Sequence, residues 1–303
     1  ADRVMSIVMD PKTGDILAMA VTPDFDPNNP RVPTNPEEAA YVESLPDKEK
    51  LEYWNKMWRN PLISDTYEPG STFKLLTTAI ALEEGVTTLD DKFVCTGSIM
   101  VAGQKLKCWR SYNPHGQQNL IKAVGNSCNP VFVQLAQRTG YEKYFDYLEL
   151  FGLREKTGVD FPGEGYAILQ NEETAGPVGL ATMSYGQGIA VTPIQLITAV
   201  SALGNEGKLM QPRIVKELRD DNGNVIQSFG TKVVRQVVSK KTAEEMCLIM
   251  EAVVDEGGGG TAKIPGYRIG GKTGTANKVR GGKYTDETFS SFIGMAPMDD
   301  PKI

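Results

Sequence analysis

Ser71 and Lys74 form the only Ser-x-x-Lys in the chain, within Ser71-Thr72-Phe73-Lys74. At helical spacing, residues three apart share a face, so the lysine amine can reach the serine hydroxyl. A serine hydroxyl is a weak nucleophile until a base takes its proton. A lysine can be that base once burial or a second cation lowers its pKa. Ser71 also opens a predicted helix, where free N–H groups favour a developing negative charge. The same spacing describes an N-cap serine followed by a surface lysine, so this motif needs support from elsewhere.

Two further elements offer it. Ser127-Cys128-Asn129 supplies a hydroxyl and an amide, although Ser111-Tyr112-Asn113 has the same pattern and Pro130 suits simple helix capping. Lys-Thr-Gly occurs three times, at Lys12-Thr13-Gly14, Lys156-Thr157-Gly158 and Lys272-Thr273-Gly274. The last lies in a strand-like run, Ile269 to Ala276, whose glycines admit a ligand close to the backbone. Gly266 to Thr273 also satisfies the phosphate-loop pattern Gly-x4-Gly-Lys-Thr. That loop requires a helix after its lysine, and Gly274, Asn277, Gly281 and Gly282 are poor helix sequence.

The cysteines pose a separate question. Cys95 and Cys108 flank a predicted hairpin, and His115, the single histidine, follows. Two thiolates and an imidazole suit a structural Zn2+, with Asp90, Asp91 or Cys128 in reach as a fourth ligand. A Cys95–Cys108 disulfide suits an exported domain equally well, and free thiols are the third reading. Cys247 sits on an apolar helix face and reads as core. Cys128 is expected to face away from any cleft that Ser127 and Asn129 line.

Elements able to position these groups follow from pattern. Val4 to Met9 and Ile16 to Ala20 flank a turn and predict a hairpin. A polar, proline-rich stretch spans Pro23 to Pro36. Glu37 to Arg59 reads as helical with a break near Pro46, and its Tyr53, Trp54, Met57 and Trp58 read as core packing. Ser71 to Glu84 is a helix with an apolar face. Short strands are expected between residues 93 and 107. Helices are expected over 119–124, 130–138, 142–151 and 193–203, with Gly140 and Gly152 as C-caps. Ile214 to Arg219 and Val225 to Phe229 flank a hairpin turn. Thr242-Ala243-Glu244-Glu245 reads as a capping box opening a helix to about Val254. Gly257 to Gly260 reads as a loop near the cleft. Strands at Tyr267–Ala276 and Thr288–Ala296 close the chain. The expected class is α+β: an antiparallel sheet lobe from about 1–25 and 205–303, and a mostly helical lobe at about 70–204.

Bulk properties exclude some functions. The net charge is −6, with no basic tract, which argues against nucleic acid. No apolar run reaches membrane-span length. The first residues, Ala1-Asp2-Arg3, run straight into the first strand, and both ends read as cuts within a longer protein, which leaves room for an anchor outside this chain.

Taken in order, Ser-x-x-Lys, Ser-x-Asn and Lys-Thr-Gly resemble the signature of penicillin-binding proteins and serine β-lactamases. Tyr67-Glu68-Pro69-Gly70-Ser71-Thr72-Phe73-Lys74 and Gly271 to Ala276 resemble the class B transpeptidase forms. Tyr185-Gly186-Gln187-Gly188 and Thr192-Pro193 are similar to a further stretch of that family. Ser127 to Phe132 resembles its division and sporulation branch. The middle residue of the second motif is cysteine, where β-lactamases usually have aspartate. The resemblance implies a cofactor-free D,D-transpeptidase acting on peptidoglycan stem peptides outside the membrane. It also implies acylation by β-lactams and a SEDS-family glycosyltransferase partner; a β-lactamase or a non-enzymatic β-lactam sensor are the rivals. Carried over by position, Ser71 is the nucleophile, Lys74 its base and Ser127 a proton relay. Asn129 binds the substrate amide. The N–H groups of Ser71 and Thr275 form the oxyanion hole, and the Lys272, Thr273, Gly274 and Thr275 segment holds the terminal carboxylate.

Overall fold

The computed structural model describes residues 3–303; Ala1 and Asp2, read as leading into the first strand, lie outside the described residues. Strands β1 (Val4–Met9) and β2 (Ile16–Thr22) form the expected hairpin. Helices α1 (Pro36–Glu43), α2 (Asp47–Trp58), α3 (Pro61–Ser64) and α4 (Lys74–Glu83) follow. Next come β3 (Lys92–Cys95), β4 (Ser98–Val101), β5 (Gln104–Lys107) and β6 (Gly116–Asn119). The helical stretch comprises α5 (Leu120–Gly125), α6 (Asn129–Thr139), α7 (Tyr141–Leu150), α8 (Glu172–Met183) and α9 (Pro193–Ser201). Strands β7 (Lys208–Met210), β8 (Glu217–Arg219), β9 (Val225–Ser228) and β10 (Val233–Gln236) lead to α10 (Lys240–Asp255). The hairpin β11 (Gly270–Arg280) and β12 (Lys283–Met295) lies beyond it.

Helix α4 is the centre of the fold. Every residue from Lys74 to Leu82 is buried, so the helix is enclosed all round rather than amphipathic. Val131, Phe132 and Leu135 of α6 and Met246, Ile249 and Met250 of α10 belong to the same core. Burying Leu75, Leu76 and Ile80 completely contributes roughly 1.5–3 kcal/mol each before chain entropy is counted. A lysine carried on such a helix has little freedom to move away from its neighbours.

The strands are α+β in arrangement, and each pairs antiparallel with a single partner. Among the described residues the two end hairpins, β1–β2 and β11–β12, do not pair with one another. They face across a groove lined by Val4, Ser6, Phe289 and Ser291.

Several expectations need correction. Helix α10 begins at Lys240, capped by Ser239, so Thr242 is inside the first turn and no capping box forms there. Glu83 at the end of α4 accepts from Ser239 N, at 2.9 Å, and also from the Ser239 and Thr242 hydroxyls. That carboxylate ties the central helix to the start of α10. Helix α2 buries no residue, so its aromatic stripe is not core. Instead Trp54 and Trp58 stack, and their indole N–H groups donate to Arg31 O and Pro30 O, pinning the proline-rich stretch to the helix. Cys247 packs only partly against the core. Helix α8 was not anticipated because Gly176 and Pro177 interrupt its pattern; the helix kinks there, with Gly176 at φ 54°.

Candidate active site

Ser71 lies in a 3-10 turn, Gly70–Phe73, that runs directly into α4. In a 3-10 turn, side chains at i and i+3 eclipse one another. The expected alignment of Ser71 with Lys74 is therefore achieved by a tighter turn than the α-helix the pattern suggests. Lys74 Nζ lies 3.1 Å from Ser71 Oγ.

The second motif arrives from the junction of α5 and α6. Ser127 has φ 52°, a left-handed conformation uncommon outside glycine and a local strain. Ser127 Oγ reaches Lys74, whereas the Cys128 thiol joins Cys95, Cys108 and His115. Ser127 Oγ is 3.0 Å from Lys74 Nζ and donates to Ser71 Oγ at 2.8 Å. Lys74 Nζ also donates to Ser127 O at 2.9 Å and Asn129 Oδ1 at 2.7 Å. The second pair are pure acceptors and hold two N–H bonds of the amine. A neutral amine then has its one lone pair free to accept the Ser71 O–H.

The third motif lies on β11, pressed against the nucleophile turn. A Cβ on Gly70 would meet Thr275 O at 2.7 Å, and one on Gly274 would meet Pro69 O at 2.9 Å. A Cβ on Gly186 would come within 2.0 Å of Gly70 O, where the Gly70 N–H donates to Gly186 O at 3.0 Å. Only glycine permits these approaches. Lys272 is 1% exposed, its amine donates to Thr273 O at 3.1 Å, and no carboxylate among the described residues pairs with it. Thr273 is half-buried, Gly274 buried and Thr275 exposed.

The electrostatics suit acyl chemistry. Burial first, and the Lys272 charge second, hold the Lys74 amine well below an ordinary lysine. Burial lowers Lys272 to about 8. No carboxylate among the described residues is hydrogen-bonded to Ser71, Lys74 or Ser127.

The competing motifs lie elsewhere. Lys12 Nζ donates to Gly204 O, and Thr157 and Gly158 are bound by Glu164, so both of those Lys-Thr-Gly triplets are turn structure. Ser111 to Asn113 form turns in the loop between Cys108 and His115. The phosphate-loop pattern leads into strand β11, not a helix.

The thiols converge just behind the second motif. Pairing of β3 with β6 sets Cys95 opposite Gly116, beside His115. Cys95, Cys108, His115 and Cys128 offer ligand atoms that all lie within 4.8 Å of one another. All four cysteines of the chain are free. Asp91 is engaged by Thr87, Thr88 and Arg138, so the fourth member is Cys128, facing away from Ser127 as anticipated. His115 Nδ1 lies 3.6 Å from Cys108 Sγ, while its buried Nε2 has no hydrogen-bond partner. The neighbouring Cys128 thiol pulls the Cys108 thiol down, and Cys128 is pushed up in turn.

Glu68, which the motif reading passed over, accepts from Gly188 N at 2.9 Å and from the Tyr284 hydroxyl. Its sequence signal is its place in the Tyr67 to Lys74 stretch, three residues before Ser71.

A transpeptidase-type site is what this geometry defines: residues 4–303 match the penicillin binding protein transpeptidase domain, and the chain belongs to that family. It is 43% identical over 305 residues to stage V sporulation protein D of Bacillus subtilis, covering 100% of this chain and 44% of that protein. The chain thus spans less than half the length of this curated relative. Among solved structures, penicillin binding protein 3 of Mycobacterium tuberculosis, complexed with aztreonam, superposes with a TM-score of 0.85 at 30% identity, covering 100% of this chain and 65% of that one. The D,D-transpeptidase domain of an Eggerthella lenta peptidoglycan glycosyltransferase gives 0.84 at 30% identity, covering 98% and 70%.

Proposed function

We propose that this domain is a serine D,D-transpeptidase that cross-links peptidoglycan stem peptides through an acyl-enzyme on Ser71. The observation that carries the reading is the buried Lys74 amine, bonded to the Ser71 and Ser127 hydroxyls, beside a buried Lys272 that pairs with no carboxylate among the described residues. Ser71 Oγ attacks the carbonyl of the penultimate D-Ala as its proton passes to Lys74. The oxyanion is held by the N–H groups of Ser71 and Thr275, each worth about 3 kcal/mol in the transition state. Lys272 with Thr273, Gly274 and Thr275 receives the terminal carboxylate, and Asn129 binds the substrate amide. The tetrahedral adduct collapses as Ser127 relays the proton from Lys74 to the departing D-Ala nitrogen. An amine of a second stem peptide then attacks the ester and Ser71 Oγ is released with its proton restored. β-Lactams enter the same path and stop at the acyl-enzyme; the Mycobacterium tuberculosis relative has been solved in complex with aztreonam and with ampicillin.

Two results test the reading. With a depsipeptide or thioester donor and a D-amino acid acceptor, the domain should form the new amide. Hydrolysis of nitrocefin with rapid turnover would instead make it a β-lactamase, and stable acylation without transfer would make it a sensor. The second test is pH. The rate constant for acylation, expressed as kcat/KM, should rise as Lys74 loses its proton and fall near pH 8 as Lys272 loses the charge that binds carboxylate. A profile flat from pH 6 to about 10 contradicts these roles.

Peptidoglycan places the work on the extracytoplasmic face, with an anchor in the longer protein and a SEDS-family glycosyltransferase supplying strands. Among the described residues no helix is long and apolar enough to cross a membrane. The chemistry itself requires no cofactor. A structural Zn2+ is nevertheless proposed at Cys95, Cys108, His115 and Cys128. On a tetrahedral ion at ordinary zinc distances, a sulfur and a nitrogen sit about 3.6 Å apart, which matches Cys108 Sγ to His115 Nδ1. Such an ion braces the backbone on which Ser127 and Asn129 ride and takes no part in the reaction.

A further inference from the structure

The hairpin that carries the third motif is held at both ends. At its base Gly274 packs on Pro69 and Thr72 beside the nucleophile turn. Beyond Asn277↔Thr288 the register slips between Asn277 and Val279, then resumes with Val279 opposite Tyr284. Such a slip bends a strand and increases its twist. Side chains stitch the irregularity: Asn277 Nδ2 donates to Thr285 O at 2.8 Å, and Thr285 Oγ1 to Lys278 O at 3.1 Å. The bent outer half brings the Tyr284 hydroxyl to Glu68, 3.1 Å from Oε1 and 3.3 Å from Oε2.

Glu68 is a junction of the segments that wall the cleft. It precedes Pro69-Gly70-Ser71 directly, and it accepts from the Gly188 N–H of the loop that also bonds Gly70. It is half-buried, and no lysine or arginine among the described residues pairs with it. Burial raises its carboxyl, and the two donors oppose that effect. Its neighbour Tyr67 packs edge-on against Phe289 of β12 at 5.7 Å, so the segment before Ser71 grips the hairpin twice. Past Tyr284 the tip is Gly281-Gly282, both exposed and both with positive φ. Tyr284 ties this tip to Glu68 on the nucleophile segment.

We propose that Glu68 and Tyr284 form a latch that holds the outer hairpin down on the nucleophile segment and so sets where the carboxylate-binding strand stands relative to Ser71. Both are positioning residues; neither touches the reacting atoms. The inference rests on the transpeptidase reading above, because it assumes that Thr273 and Thr275 receive the carboxylate of donor or drug. Opening the latch leaves Ser71 and Lys74 in place and lets the strand drift.

Tyr284→Phe keeps the ring and removes the donor. Because Tyr284 is 56% exposed, the expected fall in benzylpenicillin acylation is modest, about fivefold for one such hydrogen bond. Binding of a neutral aryl boronic acid, which reaches Ser71 without a carboxylate, should be unchanged. Limited proteolysis at the Gly281-Gly282 tip should accelerate. In a double-mutant cycle Tyr284→Phe should cost nothing further once Glu68→Ala is present. Penicillin acylation of Tyr284→Phe at the wild-type rate overturns the latch, as do equal losses with both reagents or additive losses in the cycle. Failure of the wild-type protein to be acylated at all would instead overturn the transpeptidase reading.

Discussion

Lys74→Met should lower the rate of acylation by benzylpenicillin about 10²- to 10⁴-fold, the range expected for loss of a positioned general base. Methionine nearly matches the lysine stem in volume, and the site lies wholly within the core of α4. The change strips the donor from Ser127 O and Asn129 Oδ1, a cost of about 1–3 kcal/mol in stability. It also removes the only basic nitrogen bonded to Ser71 among the described residues. The protein should therefore fold, melt a few degrees lower, and react only slowly. Lys74→Arg should fail as fully, because a guanidinium keeps its charge and cannot accept the proton. Stopped-flow acylation with a fluorescent penicillin measures both. A loss below tenfold would mean that another group deprotonates Ser71.

Cys128→Ser should remove one equivalent of zinc per chain and lower the melting temperature by about 5–10 °C, a loss of several kcal/mol spread over a domain this size. Acylation should slow as well. Cys128 lies between the two motif residues that contact Lys74, and the strained φ of Ser127 depends on its neighbours staying put. Chelation of the wild-type protein should reproduce the shift and added Zn2+ reverse it. Metal analysis and a thiol count on the denatured protein without reductant decide the matter together. Four thiols and one zinc support the site. Two missing thiols and no metal mean a disulfide, and four thiols with no metal mean that the cluster holds none.

The three chemical motifs could be read from residue type because each stands in a local context that survives folding. Ser71 and Lys74 needed only a helical spacing, and the 3-10 turn delivered the same face by other means. Lys272 was chosen among three copies through its strand glycines, and those glycines prove to be the points where Pro69, Thr72 and Ile293 press closest. What escaped depends on long-range packing. That Cys128 and not Asp91 joins the cluster depends on the pairing of β3 with β6 and on Thr87, Thr88 and Arg138, which engage Asp91. Trp54 and Trp58 read as core because periodicity records which residues share a face, not what that face meets. Glu68 and Tyr284 lie 216 positions apart, and no local pattern pairs them.

The account turns on one bond, an ester at Ser71. Intact-protein mass spectrometry after incubation with benzylpenicillin measures it directly. The wild-type domain should gain the mass of one whole drug molecule and keep it, and Ser71→Ala, otherwise folded, should gain nothing. An adduct of the same mass on Ser71→Ala would contradict the assignment of the nucleophile and everything built on it.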